Sequence, residues 1–277
     1  MNTHRFLYFL AALPLLLTSC VKEPAAVRSY NQFVVNPPQF TSPDGSKLGW
    51  ASYGLIWEQG DVLVINDVAF RIYYDNSEGK WYTESLEGTG VPAKIYNGGP
   101  EGFSVVYTGT ERNSVYIDES TGYYGVVEAL CDGEGSFYPL AGHLTTNNIT
   151  LTPCCCVIRV ASSSDYNMWV YVDDADNHLV EGGAIDPVNA CFVEDKSTAV
   201  GDDWGYFDRL ATIDPSGNVG YDYFVLPMTG STIHLSSIQF LTDDGFYNTE
   251  VGNPDGITLR KGVVYTLDLT RTAPNSK

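Results

Sequence analysis

Residues 152–160 read TPCCCVIRV and set three of the chain's six cysteines side by side. A zinc centre needs thiolates that converge tetrahedrally, but in an extended chain neighbouring side chains point to opposite faces. A redox pair takes the C-x-x-C form, and a disulfide between immediate neighbours is strained. The stretch therefore reads as a core strand in which cysteine serves as a small apolar residue. Cys154, Cys156, Ile158 and Val160 are expected on one face, with Cys155, Val157 and Arg159 on the other. Pairing among Cys131, Cys154, Cys155, Cys156 and Cys191 stays open: only Cys131 or Cys191 offers the triplet a partner, and an odd number leaves one thiol free or paired between chains.

Outward from this stretch the same texture recurs. The runs at 61–67 (DVLVIND), 69–75 (AFRIYYD), 103–109 (FSVVYTG), 124–130 (YGVVEAL), 148–162 (NITLTPCCCVIRVAS), 168–174 (MWVYVDD), 223–228 (YFVLPM), 233–242 (IHLSSIQFLT) and 263–270 (VVYTLDLT) are rich in β-branched and aromatic residues. Between them stand turn sequences such as SPDG at Ser42, DNSEG at Asp75, NGGP at Asn97, DPSG at Asp214 and NPDG at Asn253. In VVYTLDLT, Val263, Tyr265, Leu267 and Leu269 share a face while Thr266, Asp268 and Thr270 take the other. No long segment of helical period follows the leader. The pattern predicts an all-β protein built of β-sandwiches, with a division near Pro153.

The chain opens with MNTHRFLYFLAALPLLLTSC: His4 and Arg5, an apolar run from Phe6 to Leu17, then Thr18 and Ser19. This is a secretory signal peptide, since the apolar run is short for a membrane span and Pro14 interrupts it. Its end, LLTSC, resembles the lipobox of bacterial lipoproteins, with Ser19 where Gly or Ala is usual. That resemblance makes Cys20 the acylated first residue of the mature chain, anchored to a membrane surface outside the cytoplasm. Residues 20–32 then form a lipidated tether containing Arg28.

With 15 Lys+Arg against 34 Asp+Glu the net charge is −19, which disfavours nucleic acid and anionic lipid as electrostatic partners. No H-E-x-x-H, G-x-S-x-G or phosphate-binding glycine loop occurs, so no catalytic, cofactor-binding or metal residues are assigned. His143, His178 and His234 stand alone in sequence. DDADNHLVE from Asp173 has alternating carboxylates, but the register of a calcium loop fails at His178 and no glycine follows. Asp202 and Asp243 read as solvated turns. Asn148 opens a glycosylation sequon that a bacterial leader makes uninformative. Trp50, Trp57, Trp81, Trp169 and Trp204 are expected mainly in cores, although an acidic, aromatic-rich surface protein also suits a second reading as a non-catalytic glycan-binding lipoprotein.

Several pieces together resemble one family. Trp57-x-x-Gly60-Asp61 followed by VLVIND, the segment YPLAGHLTTNNITLTPCCCVIRV, and the closing YFVLPM, IQF and ITLRKGVVYTLDLT are similar to fimbrillin-like lipoproteins, the subunits and tips of type V pili of Gram-negative anaerobes. The resemblance implies two tandem transthyretin-like sandwiches, 33–153 and 154–277, after the signal peptide 1–19 and the tether 20–32. It implies a structural, anchor or tip subunit of a fimbrium serving cell adhesion, not an enzyme, and without a cofactor. The partners implied are the outer membrane, through lipid on Cys20, and other subunits, through β-strand complementation; host or bacterial surface ligands are further candidates. In that family a protease cuts after a basic residue, and Arg28 is the candidate; an anchor or tip would not need the cut.

Overall fold

The structure, a computed structural model, describes residues 27–30, 32–44, 57–66, 68–87, 93–96, 102–107, 115–118, 123–126, 139–162, 169–174, 178–199, 205–207, 220–242, 245–249 and 256–268. The regular elements among them are all strands, so the chain is all-β as expected. In chain order these are β1 (Val27–Tyr30), β2 (Val34–Val35), β3 (Val62–Ile65), β4 (Val68–Asp75), β5 (Lys80–Ser85), β6 (Ala93–Tyr96), β7 (Phe103–Tyr107), β8 (Val115–Asp118), β9 (Tyr123–Val126), β10 (Leu140–Leu144), β11 (Asn148–Ile149) and β12 (Thr152–Pro153). After them come β13 (Cys155–Ser162), β14 (Trp169–Asp174), β15 (Val180–Asp186), β16 (Cys191–Ala199), β17 (Gly205–Phe207), β18 (Gly220–Pro227), β19 (Thr232–Thr242), β20 (Gly245–Thr249), β21 (Ile257–Arg260) and β22 (Val264–Asp268).

The largest sheet has eight strands in the order β11-β2-β5-β4-β3-β7-β10-β12. Its two terminal strands are successive pieces of one segment, 148–153. β11 runs parallel to β2, with Asn148 opposite Val34, and β12 runs antiparallel to β10, with Leu140 opposite Pro153. One stretch of chain thus ties both ends of the sheet together, closing it like a barrel and removing the row of unpaired N–H and C=O groups that an open edge presents. Alternation decides what lies inside: Phe70 and Ile72 of β4 are fully buried while Arg71 between them is exposed.

Against this core lies a three-stranded sheet, β18-β13-β22. Both faces of its central strand are buried from Cys155 to Ile158 and at Val160, so that stretch reads as an almost continuous apolar run. Cys155, Val157, Val225 and Val264 pack with Phe33, Trp57, Phe70 and Phe103. Cys156, Ile158, Val160, Phe224 and Leu226 face a second core with Leu179, Met228, Ile233, Leu235 and Leu259. The face expected to be polar in VVYTLDLT therefore carries a buried Val264, while Thr266 remains exposed.

The cysteine triplet departs from simple alternation at its first member. β13 begins at Cys155, and Cys154 occupies a bend after β12. Its side chain does not join Cys156 but enters a third cluster with Val106, Ala141, Val180, Ile185, Ala190 and Phe192. The cause is backbone pairing on both sides of the bend: the Cys154 N–H donates to Pro139 O at 2.8 Å, and its carbonyl accepts from Met228 N–H at 3.1 Å. Three adjacent thiols thus serve three separate cores.

Residue 153 is followed at once by this shared wall, and pairing continues across it. Ala184 and Ile185 of β15 pair with Gly125 and Tyr124 of β9, joining β16-β15-β9-β8 into one sheet. A further sheet, β17-β14-β19-β20 with β21 on β19, is built from the later strands alone.

Candidate assembly site

The part of the chain with a functional expectation attached is its N-terminal entry. Cys20 and Cys131 lie outside the described residues. Arg28, expected in an open tether, is placed in β1, antiparallel to β6 and opposite Ile95. β1 and β6 form a two-stranded sheet of their own.

Beyond Arg28 the chain is built into the core. Phe33 is fully buried, with ring centroids 5.0 Å from Phe103 and 5.6 Å edge-on from Phe70. Its N–H donates to Thr83 Oγ1 at 3.1 Å, and its carbonyl accepts the Thr83 N–H at 3.1 Å. The Val34 N–H reaches Asn147 O at 2.9 Å and the Asn36 N–H reaches Ile149 O at 2.8 Å. Pro37 and Pro38 lack N–H groups and fix φ, which suits a straight passage with little ladder bonding. Phe40 is buried again, and Thr41 exchanges two bonds of 2.9 Å with Gly262 O and Val264 N–H. Arg260 Nη2 then donates to Pro43 O at 2.7 Å. Residues 32–44 form a strap from the first sheet to the chain's last described strand. Phe33, Val35 and Phe40 together contribute on the order of 5–9 kcal/mol of apolar burial before chain entropy is counted.

The Trp57-x-x-Gly60-Asp61 motif clamps this strap. Trp57 is buried, stacks edge-on against Tyr107 at 5.0 Å, and donates its Nε1–H to Asn36 O at 3.2 Å. Gly60, at φ 108°, makes the turn that a side chain would strain. Asp61 is only 3% exposed; its carboxylate accepts the Glu58 N–H at 2.8 Å and a hydrogen bond from Tyr107. Burial outweighs those bonds and pushes its pKa up to about 6.

This arrangement limits what a cut after Arg28 can do. Of the described strands only Val27 and Arg28 would be detached, because every strap residue buried in the core lies on the far side of the cut. Sequence reasoning missed the strap's extent. Its trace was FVVNPPQF at 33–40, an apolar triplet and a lone Phe flanking two prolines, too short to show a period.

The other candidates do not converge among the described residues. His143 Nδ1 lies 3.2 Å from Ser104 Oγ, His178 Nδ1 lies 3.1 Å from Thr232 O, and His234 Nδ1 lies 3.4 Å from Thr258 Oγ1. Asp173 and Asp174 end β14 at an irregularity in its pairing with β19. Asn148 begins β11, Trp81 is partly buried beside the first core, and Trp50, Trp204, Asp202 and Asp243 fall outside the described residues. Cys154, Cys155, Cys156 and Cys191 are free thiols. Met228 stands between Cys154 and the strand of Cys191, accepting the Phe192 N–H at 3.2 Å. Burial pushes the thiols of Cys154, Cys155 and Cys156 well above their usual range, which keeps them protonated and unreactive.

No family model and no curated protein matches the sequence. Solved structures that resemble the chain include three from Bacteroides. A candidate cell adhesion protein of Bacteroides uniformis is 11% identical, with a TM-score of 0.45 over 87% of this chain and 93% of its own. A second, from Bacteroides fragilis, is 9% identical with a TM-score of 0.35 over 85% and 90%. A candidate adhesin of Bacteroides ovatus is 10% identical with a TM-score of 0.34 over 86% and 87%.

Proposed function

We propose that this chain is an outer-membrane, surface-exposed adhesion lipoprotein of the fimbrillin-like kind, held by acyl chains on Cys20 and serving as an anchor or tip subunit that keeps its own N-terminal strand. The leader ending in LLTSC supports the membrane attachment. The observation that carries the choice of role is the strap: Phe33, Val35 and Phe40 fill the first core from the mature side of Arg28, and 148–153 closes the sheet beside them. A stalk subunit that exchanges its first strand would have to extract this segment, at the cost of its burial and backbone bonds. Neighbouring subunits would instead add a strand to an edge such as β20, which among the described residues pairs on one side only, with β19.

The expected result in cells is a protein that fractionates with the outer membrane, begins at acylated Cys20, and runs as a monomer in SDS without boiling. Release of Cys20→Ala into the soluble fraction would accompany it. A mature N-terminus at Ser29 together with SDS-resistant ladders would overturn the anchor or tip role in favour of a stalk subunit. Unchanged membrane fractionation of Cys20→Ala would overturn the lipid anchor.

A further inference from the structure

The end of the β4–β5 hairpin carries four aromatic side chains in two adjacent cross-strand pairs, Tyr73 opposite Tyr82 and Tyr74 opposite Trp81. Residues adjacent in a strand point to opposite faces, so each face of the hairpin receives one pair. The two pairs are treated differently. Tyr73's hydroxyl accepts from Gln32 Nε2 at 2.7 Å, and Tyr82's hydroxyl donates to the Glu78 carboxylate at 2.5 Å, so this face is tied down. Tyr74 is 40% exposed, and its hydroxyl lies over Gly79, 3.7 Å from where a Cβ would stand. Its ring meets that of Trp81 at 5.1 Å and 58°, forming an open corner rather than a flat stack.

The corner is also held rigid. Asp75 accepts bonds from Ser77 N–H, Ser77 Oγ and Glu78 N–H at 2.6–3.2 Å, and the Gly79 N–H closes the turn on Asp75 O at 2.8 Å. Fixing the turn fixes the rings in advance of any ligand, which lowers the ordering cost of binding.

We propose that the Tyr74–Trp81 corner is a binding site for a neutral saccharide. A pyranose ring is amphipathic: its C–H bonds are attracted to the negative face of an aromatic ring, while its hydroxyls seek donors and acceptors at the rim. Tyr74 offers both, a water-facing ring and a hydroxyl with no hydrogen-bond partner among the described residues. The net charge of −19 selects against sulfated and uronic glycans, which the protein's field repels. The site is independent of the lipid anchor and of the subunit's place in a pilus.

The test is affinity electrophoresis of the full chain in detergent, through native gels cast with neutral polysaccharides (mannan, xylan, mixed-linkage glucan, galactan) or with heparin and polygalacturonate. Retardation by at least one neutral polymer is expected, with Tyr74→Ala binding it about ten-fold or more weakly at an unchanged melting temperature. Tyr74→Phe keeps the ring and loses the hydroxyl, so it should bind about 2- to 10-fold more weakly. Tyr73→Phe, altered on the opposite face, should bind like the parent. No retardation in any neutral gel, retardation only in the anionic gels, or equal retardation of Tyr74→Ala and the parent would each overturn the proposal.

Discussion

The core that Cys155 enters and the core that Cys156 enters are built from different materials. The first holds Phe33, Phe40, Trp57, Phe70, Phe103 and Tyr107 inside a sheet that its own chain closes. The second holds Phe224 among aliphatic residues and methionine, between sheets that are open strips among the described residues. Large rings meeting at steep angles leave few alternative packings, whereas short aliphatic chains repack more readily. The aromatic core is the one that receives the N-terminal strap. The two cores nevertheless share β13 as a wall, which decides whether they unfold as one unit or two.

The sharpest way to break the comparison is Phe33→Ala. A fully buried Phe flanked by Phe70 and Phe103 leaves a cavity that rigid neighbours fill poorly, and the expected loss is about 3–5 kcal/mol by urea unfolding. Leu235→Ala in the second core should cost about 2–5 kcal/mol. With β13 coupling the cores, each variant shifts one common transition; two separable transitions, one moved by each variant, would show independent units.

Asp61→Asn tests the clamp through pH. The folded pKa of about 6 stands above the ordinary 3.8, so the folded state holds the proton more tightly than the unfolded chain. Wild-type stability therefore rises as pH falls through about 6, and the gain is complete near 3.8. Above pH 7 the buried carboxylate costs up to about 3 kcal/mol, so Asp61→Asn should be more stable than wild type there and lose the advantage by pH 4. Asp75, whose bonds with Ser77 hold its carboxyl below the usual range, acts in the opposite direction, so the difference between wild type and variant is the quantity to follow. A difference that does not change with pH would remove Asp61 as the cause.

Smaller effects come from the triplet. Cys155→Ser and Cys156→Ser each bury a hydroxyl without a dedicated partner and should cost about 1–3 kcal/mol. In native protein a thiol reagent should modify the partly exposed Cys191 quickly and the three buried thiols only at the unfolding rate. Trp57→Phe shrinks a fully buried ring and leaves Asn36 O without its donor, an expected loss of about 1–3 kcal/mol.

Much of this was legible before any coordinates. AFRIYYD followed by DNSEG became β4 and its turn almost residue for residue, because Phe70 and Ile72 alternate with Arg71 and Gly79 supplies the positive φ the turn requires. IHLSSIQFLT likewise became β19. β15 and β16 were missed, since a strand with Gly182 and Gly183 at its centre lacks β propensity and is held by its neighbours; Gly183 sits at φ 146° against Ser197, where a Cβ would approach within 2.4 Å.

Residue type and spacing by themselves determined that TPCCCVIRV runs largely as buried, extended backbone, in which successive side chains cannot converge on one point. Only the tertiary structure decided where each thiol went. Alternation assigns opposite faces but does not say that both are interior, and it is silent about a bend. Packing of the aromatic core on one face of β13 and of the aliphatic core on the other made both faces interior, and the hydrogen bonds of Cys154 to Pro139 and Met228 turned it into a third cluster. The strap has the same origin: Phe33 and Asn36 reach residues from Thr83 to Ile149, and Thr41 reaches Gly262, contacts set by closure of the sheet and the meeting of the two halves rather than by any local preference of the chain.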